Sequence, residues 1–496
     1  MRAIIVLCAL LLCPGPQGFG AGYTYDYNDH CRQAYESYMS LHLSDGKARI
    51  QEALRDNPNN LMAVYVSDYE DCLLLLLNGN KADYNLKKGN FDERLEQLNK
   101  GNDTDPWYRL SKAGVYLHWA LVHLRFGDNM KAAFQFRKSF ALLKENKSRF
   151  PNFDYNNIYL GLEQSVAGAI PDKFKWLASM FGIKGDVKKG SALITRFLND
   201  HTYDDLFQYE AALYSVYLRL YFLYQQKEVW AFMNNNQQYP AQSNLLLSFV
   251  KANIALNTRK ADVALQTLKG VQNDPYCNVF PMVQYELGSA YYYHADAQCI
   301  PYFQQFVARY KGNMFVKDAW QKMALMHYLQ RNPKEAGNCR AKIAQQGNTI
   351  ADVDMQAQRF SQSKEWPNYT LLYVHLLIDG GFHKMALDKL KQYKESDFPD
   401  AADKLEYNFR LARIYDEMDD DKTAVKLYQH TINTGKNRKE HFAARSALQM
   451  ALIYERVGMK EEAIKRFKEC LSIRDHDFQA AIDQQAKAGL NRLGAQ

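Results

Sequence analysis

The sequence predicts an all-α protein: a superhelical α-α solenoid of stacked helix pairs, with a short non-repeat helical insertion in the middle. Related segments recur at a spacing of 38 or 39 residues along much of the chain. The 496 residues include only 13 prolines, and many of these stand where a helix begins or a turn occurs. No series of segments shows the period-two alternation of polar and apolar residues that a sheet requires. These observations favour helices throughout.

Two C-terminal segments show the repeat most clearly: NFRLARIYDEMDDDKTAVKLYQHTI (408–432) and ALQMALIYERVGMKEEAIKRFKECL (447–471). At an offset of 39 residues, Ala424 matches Ala463 and Tyr428 matches Phe467. Upstream residues in the same frame are Trp119, Ala120, Gly127, Ala132, Phe136, Leu287, Gly288, Tyr291, Trp320, Met323, Ala324, His327, Ala336, Ala386 and Leu390. Several matches in one register along the chain predict a repeat architecture.

This pattern resembles the tetratricopeptide repeat (TPR) family. Its members have a bulky residue, then Leu-Gly or Leu-Ala, then Tyr, and nine residues later Ala followed by an aromatic residue. Small residues let the two helices of a repeat approach closely, while large residues fill the gaps and each pair buries its remaining face on the next pair. The resemblance implies a TPR-like solenoid.

A segment in the middle of the chain, YLGLEQSVAGAIPDKFKWLASMFGIKGDVKKGSALI, resembles the tetratricopeptide repeat protein 39 family. The matching residues are Pro171, Gly182, Gly185, Asp186 and Gly190, in a stretch of about forty residues. That family is mostly intracellular, and the N-terminus of this chain departs from it. The resemblance therefore implies architecture and no cellular role.

Within this segment, Ala169–Ile183 is apolar nearly all round a helical wheel, which is typical of a helix buried by protein or by membrane. A helix lying on a membrane separates a basic face from an apolar face, and this one does not. We expect a short helix packed between the N-terminal and C-terminal stacks, with Trp176 buried.

The predicted organisation has five parts: a signal peptide (1–22), N-terminal TPR-like repeats (23–148), a non-repeat helical connector (149–200), C-terminal TPR-like repeats (201–475) and a capping helix (476–496). A polar terminal helix is expected because the last repeat would otherwise leave its apolar face exposed.

The N-terminal residues predict a secretory signal peptide. Arg2 precedes an apolar run that ends at Cys13, and small residues suit cleavage near Gly20 or Gly22. The run is too short to span a bilayer, and no small residue precedes Cys8 or Cys13 as a lipid anchor requires. The other interpretation is a buried N-terminal helix. We expect an exported chain, periplasmic or secreted, that is soluble after cleavage and not stably inserted in a membrane.

Composition is that of a globular protein, with 47% hydrophobic and 24% charged residues. The net charge is +7, but basic and acidic residues alternate, and the basic runs KGDVKKG and GKNRKEH are short. Since affinity for nucleic acid needs a contiguous basic surface, we expect no nucleic-acid partner.

Six cysteines remain after cleavage, at wide spacing, and are most simply small buried hydrophobes: Cys31, Cys72, Cys277, Cys299, Cys339 and Cys470. The sequence lacks HExxH, G-x-S-x-G, P-loop and dinucleotide-binding motifs. The acidic run DEMDDD (416–421) lacks the glycine and the final acid of a calcium loop, which favours a turn between helices. We expect no enzymatic activity, cofactor or metal site.

The segment YDDLFQYEAALYSVYLRLYFLYQQ carries the candidate binding residues. On a helix, one side holds Tyr203, Phe207, Tyr214, Tyr217, Tyr221 and Tyr224. Tyrosines offer flat apolar area and hydroxyls, which suit a groove for a peptide or a sugar. Tyr285, Tyr291, Tyr292 and Tyr293 would extend this surface. In the other interpretation, both faces of the helix pack inside the solenoid.

Three functions remain open from sequence alone. The first is an exported, non-enzymatic TPR scaffold that binds a protein or peptide partner in its concave groove through Tyr214, Tyr217, Tyr221, Tyr224 and Tyr291. The second is a soluble glycan-binding protein of a nutrient-uptake system. The third, an enzyme with a solenoid accessory region, leaves no separate domain for the chemistry.

Overall fold

The computed structural model describes residues 22–169, 184–201, 205–235 and 244–495. Three expectations fall on residues outside these ranges. They are the signal peptide, the apolar helix over Ala169–Ile183 apart from its first residue, and the position of Tyr203. Trp176, expected to be buried in that helix, is also outside the described ranges. Over the described ranges the chain forms helices joined by short turns, with one isolated bridge between Thr24 and Asn60. The predicted all-α class is confirmed.

The N-terminal part contains eight helices: α1 Asp29–Tyr38, α2 Leu43–Asp56, α3 Leu61–Val66, α4 Asp68–Asn78, α5 Lys81–Lys87, α6 Asn90–Leu98, α7 Pro106–Arg125 and α8 Asn129–Arg149. Two helices follow, α9 Asn156–Gly168 and α10 Val187–Asp200. Consecutive helices α1 and α2, α7 and α8, and α9 and α10 pack against each other as pairs.

The remaining described helices are α11 Gln208–Tyr221, α12 Gln226–Asn235, α13 Leu245–Asn257, α14 Ala261–Val271, α15 Met282–Tyr293, α16 Cys299–Arg309, α17 Val316–Leu329, α18 Pro333–Gln345, α19 Asp352–Gln362, α20 Tyr369–Gly380, α21 His383–Leu390, α22 Ala401–Glu417, α23 Asp421–Gly435, α24 Phe442–Arg456, α25 Lys460–Ser472 and α26 Gln479–Arg492. Short 3₁₀ turns cover Pro275–Asn278 and Glu395–Asp397. From α13 onward the helices again stack in pairs, with α19 as an additional helix beside α17 and α18.

The turn within a repeat has a local sequence cause. In DEMDDD, Asp419 adopts a left-handed backbone with φ of 60°, and Asp420 accepts a hydrogen bond from the backbone N–H of Thr423 as the N-cap of α23. Gly127 and Asp128 do the same before α8. The acidic run is therefore an interhelical turn, as its sequence indicates.

The repeat residues lie where the pattern places them. Ala424 and Ala463 are fully buried between paired helices, and the aromatic rings of Tyr428 and Phe467 fill the adjacent core. A Cβ added to Gly288 would lie 2.8 Å from the Phe303 ring, so the small residue permits the close approach of α15 and α16. Packing density of this kind holds each pair together.

The helices α9 and α10 cross at a glycine contact. A Cβ on Gly190 would stand 2.3 Å from the Gly161 carbonyl oxygen, and one on Gly161 would stand 2.7 Å from the Gly190 carbonyl oxygen. Gly185 likewise lies against the backbone of α9. Backbones approach this closely only where both side chains are absent. Gly161, Gly185 and Gly190 thus serve helix packing.

The solenoid brings distant parts of the chain together. His42 Nε2 lies 3.1 Å from Asp274 Oδ2, the Asn78 amide donates to the Val279 carbonyl at 2.9 Å, and Arg125 donates to the Tyr310 hydroxyl. Further along, Arg259 pairs with Glu417 at 3.0 Å. The N-terminal helices therefore pack against the segment 274–310 and help to enclose an inner surface.

The six described cysteines are buried and unpaired, which confirms the expectation that they act as small hydrophobes. Among the helices that the structure describes, none has the length and apolar character needed to cross a bilayer.

Candidate functional site

A cavity of about 450 Å³ opens on the inner surface of the solenoid. It lies among α11, α13, α15 and α17, and the ends of α4 and α7 close one side. The lining residues are Leu76, Leu77, Arg125, Tyr221, Phe249, Asn253, Leu256, Asn257, Met282, Tyr285, Glu286, Ser289, Tyr293, Met314, Phe315, Lys322 and Val353. We call this space the inner cavity. Pockets that are mostly apolar with a few convergent polar groups are typical of binding sites.

Helix periodicity explains which residues of α15 face the inner cavity. Met282, Tyr285, Glu286, Ser289 and Tyr293 follow the spacing i, i+3, i+4, i+7 and i+11, which lies along one face of a helix. The polar residues of this face are therefore presented together.

Glu286 is the buried acid of the inner cavity. Only 4% of the residue is exposed, and the Asn253 amide on α13 donates to its Oε1 at 2.8 Å. Burial raises the pKa of Glu286 to about 7, although Asn253 and the Lys322 ammonium favour the ionised form. Close by, the Ser289 hydroxyl is buried and has no hydrogen-bond partner among the described residues.

A second acid on α17 holds the ammonium of Lys322. The Tyr285 hydroxyl donates to Asp318 Oδ2 at 2.6 Å, and Lys322 Nζ pairs with the same oxygen. Lys322 Nζ also donates to the Tyr285 hydroxyl at 3.0 Å. Tyr285 and Lys322 line one wall of the inner cavity, and Asp318 behind them balances the charge of Lys322.

The start of α17 is fixed by an acid from α19. Asp354 accepts hydrogen bonds from the backbone N–H groups of Phe315 at 2.6 Å and Asp318 at 3.1 Å. Burial raises the pKa of Asp354 to about 6 against the effect of these donors. The additional helix α19 thus supports the wall that carries Lys322.

Of the tyrosines proposed from sequence, Tyr217 and Tyr221 lie together at the inner cavity. Their rings are parallel, with centroids 6.0 Å apart and an interplanar angle of 3°. Tyr221 is 47% exposed and lines the cavity, while Tyr217 is half-buried behind it. A stacked pair at a cavity mouth presents a rigid apolar wall.

The other three candidate tyrosines lie elsewhere. The Tyr214 hydroxyl donates to Glu210 in the core, and Tyr224 lies in the turn after α11 with φ of 56°. Tyr291 is 5% exposed and stacks on Tyr302 with centroids 5.4 Å apart, on the side of α15 away from Glu286. A binding role for these three stays a prediction, and the structure does not bring them into the inner cavity.

Sequence reasoning missed Glu286, Asn253, Ser289 and Lys322. The signal was present in YELGSAYYYH, where a charged residue interrupts the apolar frame of α15 next to the repeat's Leu-Gly pair. A charge on a helix packed on two sides is costly unless it is paired or functional.

A separate polar network lies in the N-terminal core. His118 lies between Asp68 and Glu210, and Tyr69 and Tyr159 donate to Glu210 Oε2 at 2.5 and 3.2 Å. Arg94 bridges Asp68 at 3.0 Å and Asp71 at 2.6 Å. These groups are buried and joined to one another, so this network links α4, α7 and α11.

No group of three or more His, Cys, Asp or Glu side chains within the described ranges forms a metal site.

Comparison with known proteins gives one family-model match: anaphase-promoting complex subunit 5, over residues 63–150 and 385–484. These two stretches make up fewer than half of the 496 residues. The described helices form an all-α solenoid of adjacent helix pairs. Sequence comparison with curated proteins gives no match.

Three solved structures align with this chain over most of their length and most of its own. The human IFIT1 dimer with PPP-AAAA has a TM-score of 0.36 and 12% identity, over 90% of this chain and 96% of that one. The APC/C hetero-tetramer Cut9–Hcn1 has a TM-score of 0.26 and 12% identity, over 92% and 95%. Yeast Tom70 has a TM-score of 0.24 and 13% identity, over 93% and 88%.

Proposed function

We propose that the protein is an exported, non-enzymatic TPR-like scaffold that binds an extended peptide segment of a partner along its inner surface. The observation that carries this proposal is the inner cavity itself, which is lined by Tyr221, stacked on Tyr217, and by the Ser289 hydroxyl, which has no hydrogen-bond partner among the described residues. Flat rings supply contact area at low entropic cost, and buried polar groups supply specificity.

The solenoid architecture supports a peptide ligand. First helices of successive pairs, α11, α13, α15 and α17, line the inner surface side by side. Such a surface offers repeated side-chain positions along one direction, which matches the repeating side chains of an extended chain. We infer export from Arg2, the apolar run and the small residues before Gly22, which together are typical of a signal peptide.

Selection from a displayed library of random dodecapeptides against the mature chain tests the binding function. We expect enriched peptides whose binding is lost in Asn257→Trp, because Asn257 is exposed at the cavity and an indole there would obstruct it. Gln266→Trp is the matched control, since Gln266 is exposed on α14 and does not line the cavity.

Two outcomes would reject the proposal. One is the absence of any enriched peptide together with binding on a glycan array, which would favour the sugar-binding function. The other is equal peptide binding by both tryptophan variants, which would place the site elsewhere. For export, fusion of residues 1–30 to alkaline phosphatase should give activity outside the cytoplasm, and a fusion lacking residues 3–13 should not.

A further inference from the structure

Glu286 is the acid that lines the inner cavity, and Lys322 and Arg125 are the basic residues of the same lining. The groups that act on its carboxyl are the Asn253 amide, Lys322 and Asp318. Lys322 is already paired with Asp318, and Asn253 is neutral. Two carboxyl groups therefore share one ammonium, and the ionised form of Glu286 has no cation of its own among these neighbours.

Aromatic residues line the same cavity as Glu286. They are Tyr221 on α11, Phe249 on α13, Tyr285 and Tyr293 on α15, and Phe315 before α17. The negative faces of aromatic rings attract cations, and the attraction grows when water is excluded. The aromatic rings and the Glu286 carboxylate thus both favour a positively charged ligand.

Ser289 adds an unsatisfied acceptor. Its hydroxyl is one turn from Glu286 on the cavity face of α15, is only 2% exposed as a residue, and has no partner among the described residues. An ammonium group has three N–H donors and no acceptor. The carboxylate of Glu286 and the hydroxyl of Ser289 together offer two acceptors in adjacent turns of one helix.

We propose that the inner cavity receives a lysine or arginine side chain of the bound peptide, with its cationic head on the Glu286 carboxylate and Ser289 hydroxyl. The aliphatic stem of that side chain lies against the ring of Tyr221. This inference rests on the proposed peptide-binding function and specifies the residue type that the inner cavity selects.

Arg125 also lines the inner cavity, and its guanidinium is held by partners other than Glu286. Its Nε donates to the Leu76 carbonyl at 2.9 Å and its Nη2 donates to the Tyr310 hydroxyl. It is absent from the charges that act on Glu286. An acidic ligand would bind Arg125 in place of Glu286, and the glutamate probe distinguishes that case.

Protonation makes the binding dependent on pH. Burial raises the pKa of Glu286 to about 7, so that near neutrality the carboxyl of the empty cavity is partly protonated. The groups facing it are Lys322 and Asp318 from α17, Tyr217 and Tyr221 from α11, and Tyr285 and Tyr293 from α15. A cation binds the ionised form, and its binding strengthens as the pH rises through this value.

Saturation-transfer NMR on the mature chain tests the assignment with three probes: the N-acetyl methylamides of lysine, norleucine and glutamate. We expect lysine to bind at least tenfold more tightly than norleucine at pH 8, and less tightly at pH 6. Glu286→Gln should reduce the difference between lysine and norleucine to less than twofold. Ser289→Ala should reduce lysine binding about threefold. Because this variant keeps the Glu286 carboxylate, it still tests the assignment if Glu286→Gln fails to fold.

Glu163→Gln is the matched control, because Glu163 is also fully buried but lies on α9 outside the inner cavity. It should retain the preference for lysine. Equal binding of lysine and norleucine, or tighter binding of the glutamate probe, overturns the assignment. If peptides selected from the library bind Glu286→Gln and the wild type equally, the inference fails and the peptide-binding function stands. If no peptide binds the wild type, the proposed function fails first.

Discussion

His118 Nδ1 lies 2.9 Å from Asp68 Oδ2, and its other ring nitrogen lies 3.2 Å from Glu210 Oε1. Each of the three side chains is at most 5% exposed. Burial by itself lowers the pKa of His118, but hydrogen bonds to Asp68 and Glu210 outweigh it and raise the pKa to about 9. One imidazolium on α7 therefore joins α4 to α11.

This arrangement predicts a pH-dependent contribution to stability. The folded pKa of His118 is above its ordinary value of 6.5, so the contribution is complete below pH 6.5 and is lost as the pH rises through about 9. His118→Gln should lower the free energy of unfolding by about 3–5 kcal/mol at pH 6, as for other broken buried ion pairs. The difference from wild type should shrink by pH 10.

Urea unfolding of wild type and variant at pH 6, 8 and 10 measures this difference. His430→Gln serves as the control, because His430 pairs with Glu395 at the surface and is 46% exposed. A difference between wild type and His118→Gln that stays constant from pH 6 to 10 would show that the imidazole is neutral in the folded protein.

Glu163 on α9 is a buried acid whose effect on stability also depends on pH. Its residue is fully buried, neither carboxyl oxygen has a well-formed hydrogen bond among the described residues, and burial raises its pKa well above the ordinary value. Below pH 4.5 both folded and unfolded forms are protonated. Above it only the unfolded chain ionises readily, so folding loses stability as the pH rises.

Glu163→Gln removes this loss and should stabilise the protein at pH 8 but not at pH 4.5. Thermal unfolding at the two pH values checks the sign, with the exposed Glu461→Gln as control. A variant that is less stable than wild type at pH 8 would mean that the carboxylate of Glu163 is ionised and stabilised in the folded state.

The sequence predicts the helix pairs well because their packing follows a local rule. Ala424 and Ala463 are small where helices touch, and their buried positions follow from spacing alone. The inner cavity could not be predicted in this way. Glu286 meets Asn253 and Lys322 from two other helices, and which side of α15 faces them depends on the curvature of the stack. Hydrophobic periodicity predicts which face of a helix is buried, but it does not predict which residues of other helices pack against that face.

The contact between α9 and α10 predicts different effects for two glycines. Gly190→Ala should lower stability by about 1–3 kcal/mol, because its Cβ would stand 2.3 Å from the Gly161 carbonyl oxygen and the helices would have to separate. Gly270→Ala is the matched control within α14, where nothing lies within 4 Å of the added Cβ. That change should be neutral or stabilise by about 0.5–1 kcal/mol.

Chemical denaturation of the two alanine variants beside wild type gives both values. If Gly190→Ala is as stable as Gly270→Ala, the helices of the middle segment do not approach as closely as their glycines imply. Gly161→Ala provides a second test of the same contact, since its Cβ would stand 2.7 Å from the Gly190 carbonyl oxygen.

The stacked pair Tyr217 and Tyr221 should contribute more to peptide binding than to the stability of the fold. Replacing both with Ala should weaken the binding of library-selected peptides at least tenfold, because Tyr221 lines the inner cavity and Tyr217 stacks behind it. Folding should lose less stability than when a fully buried ring is removed, since Tyr221 is 47% exposed and Tyr217 is half-buried. Tyr428→Ala, at a fully buried repeat position, should instead cost about 3–5 kcal/mol.

Fluorescence polarisation with a labelled peptide, and a thermal melt of each variant, check the two quantities independently. Tyr23→Ala controls for the loss of a tyrosine, because Tyr23 is 40% exposed near the N-terminus and does not line the inner cavity. A double variant that loses as much stability as Tyr428→Ala would show that Tyr217 and Tyr221 are core residues of the solenoid. Unchanged peptide binding in a stable double variant would place the peptide on another part of the inner surface, away from α11.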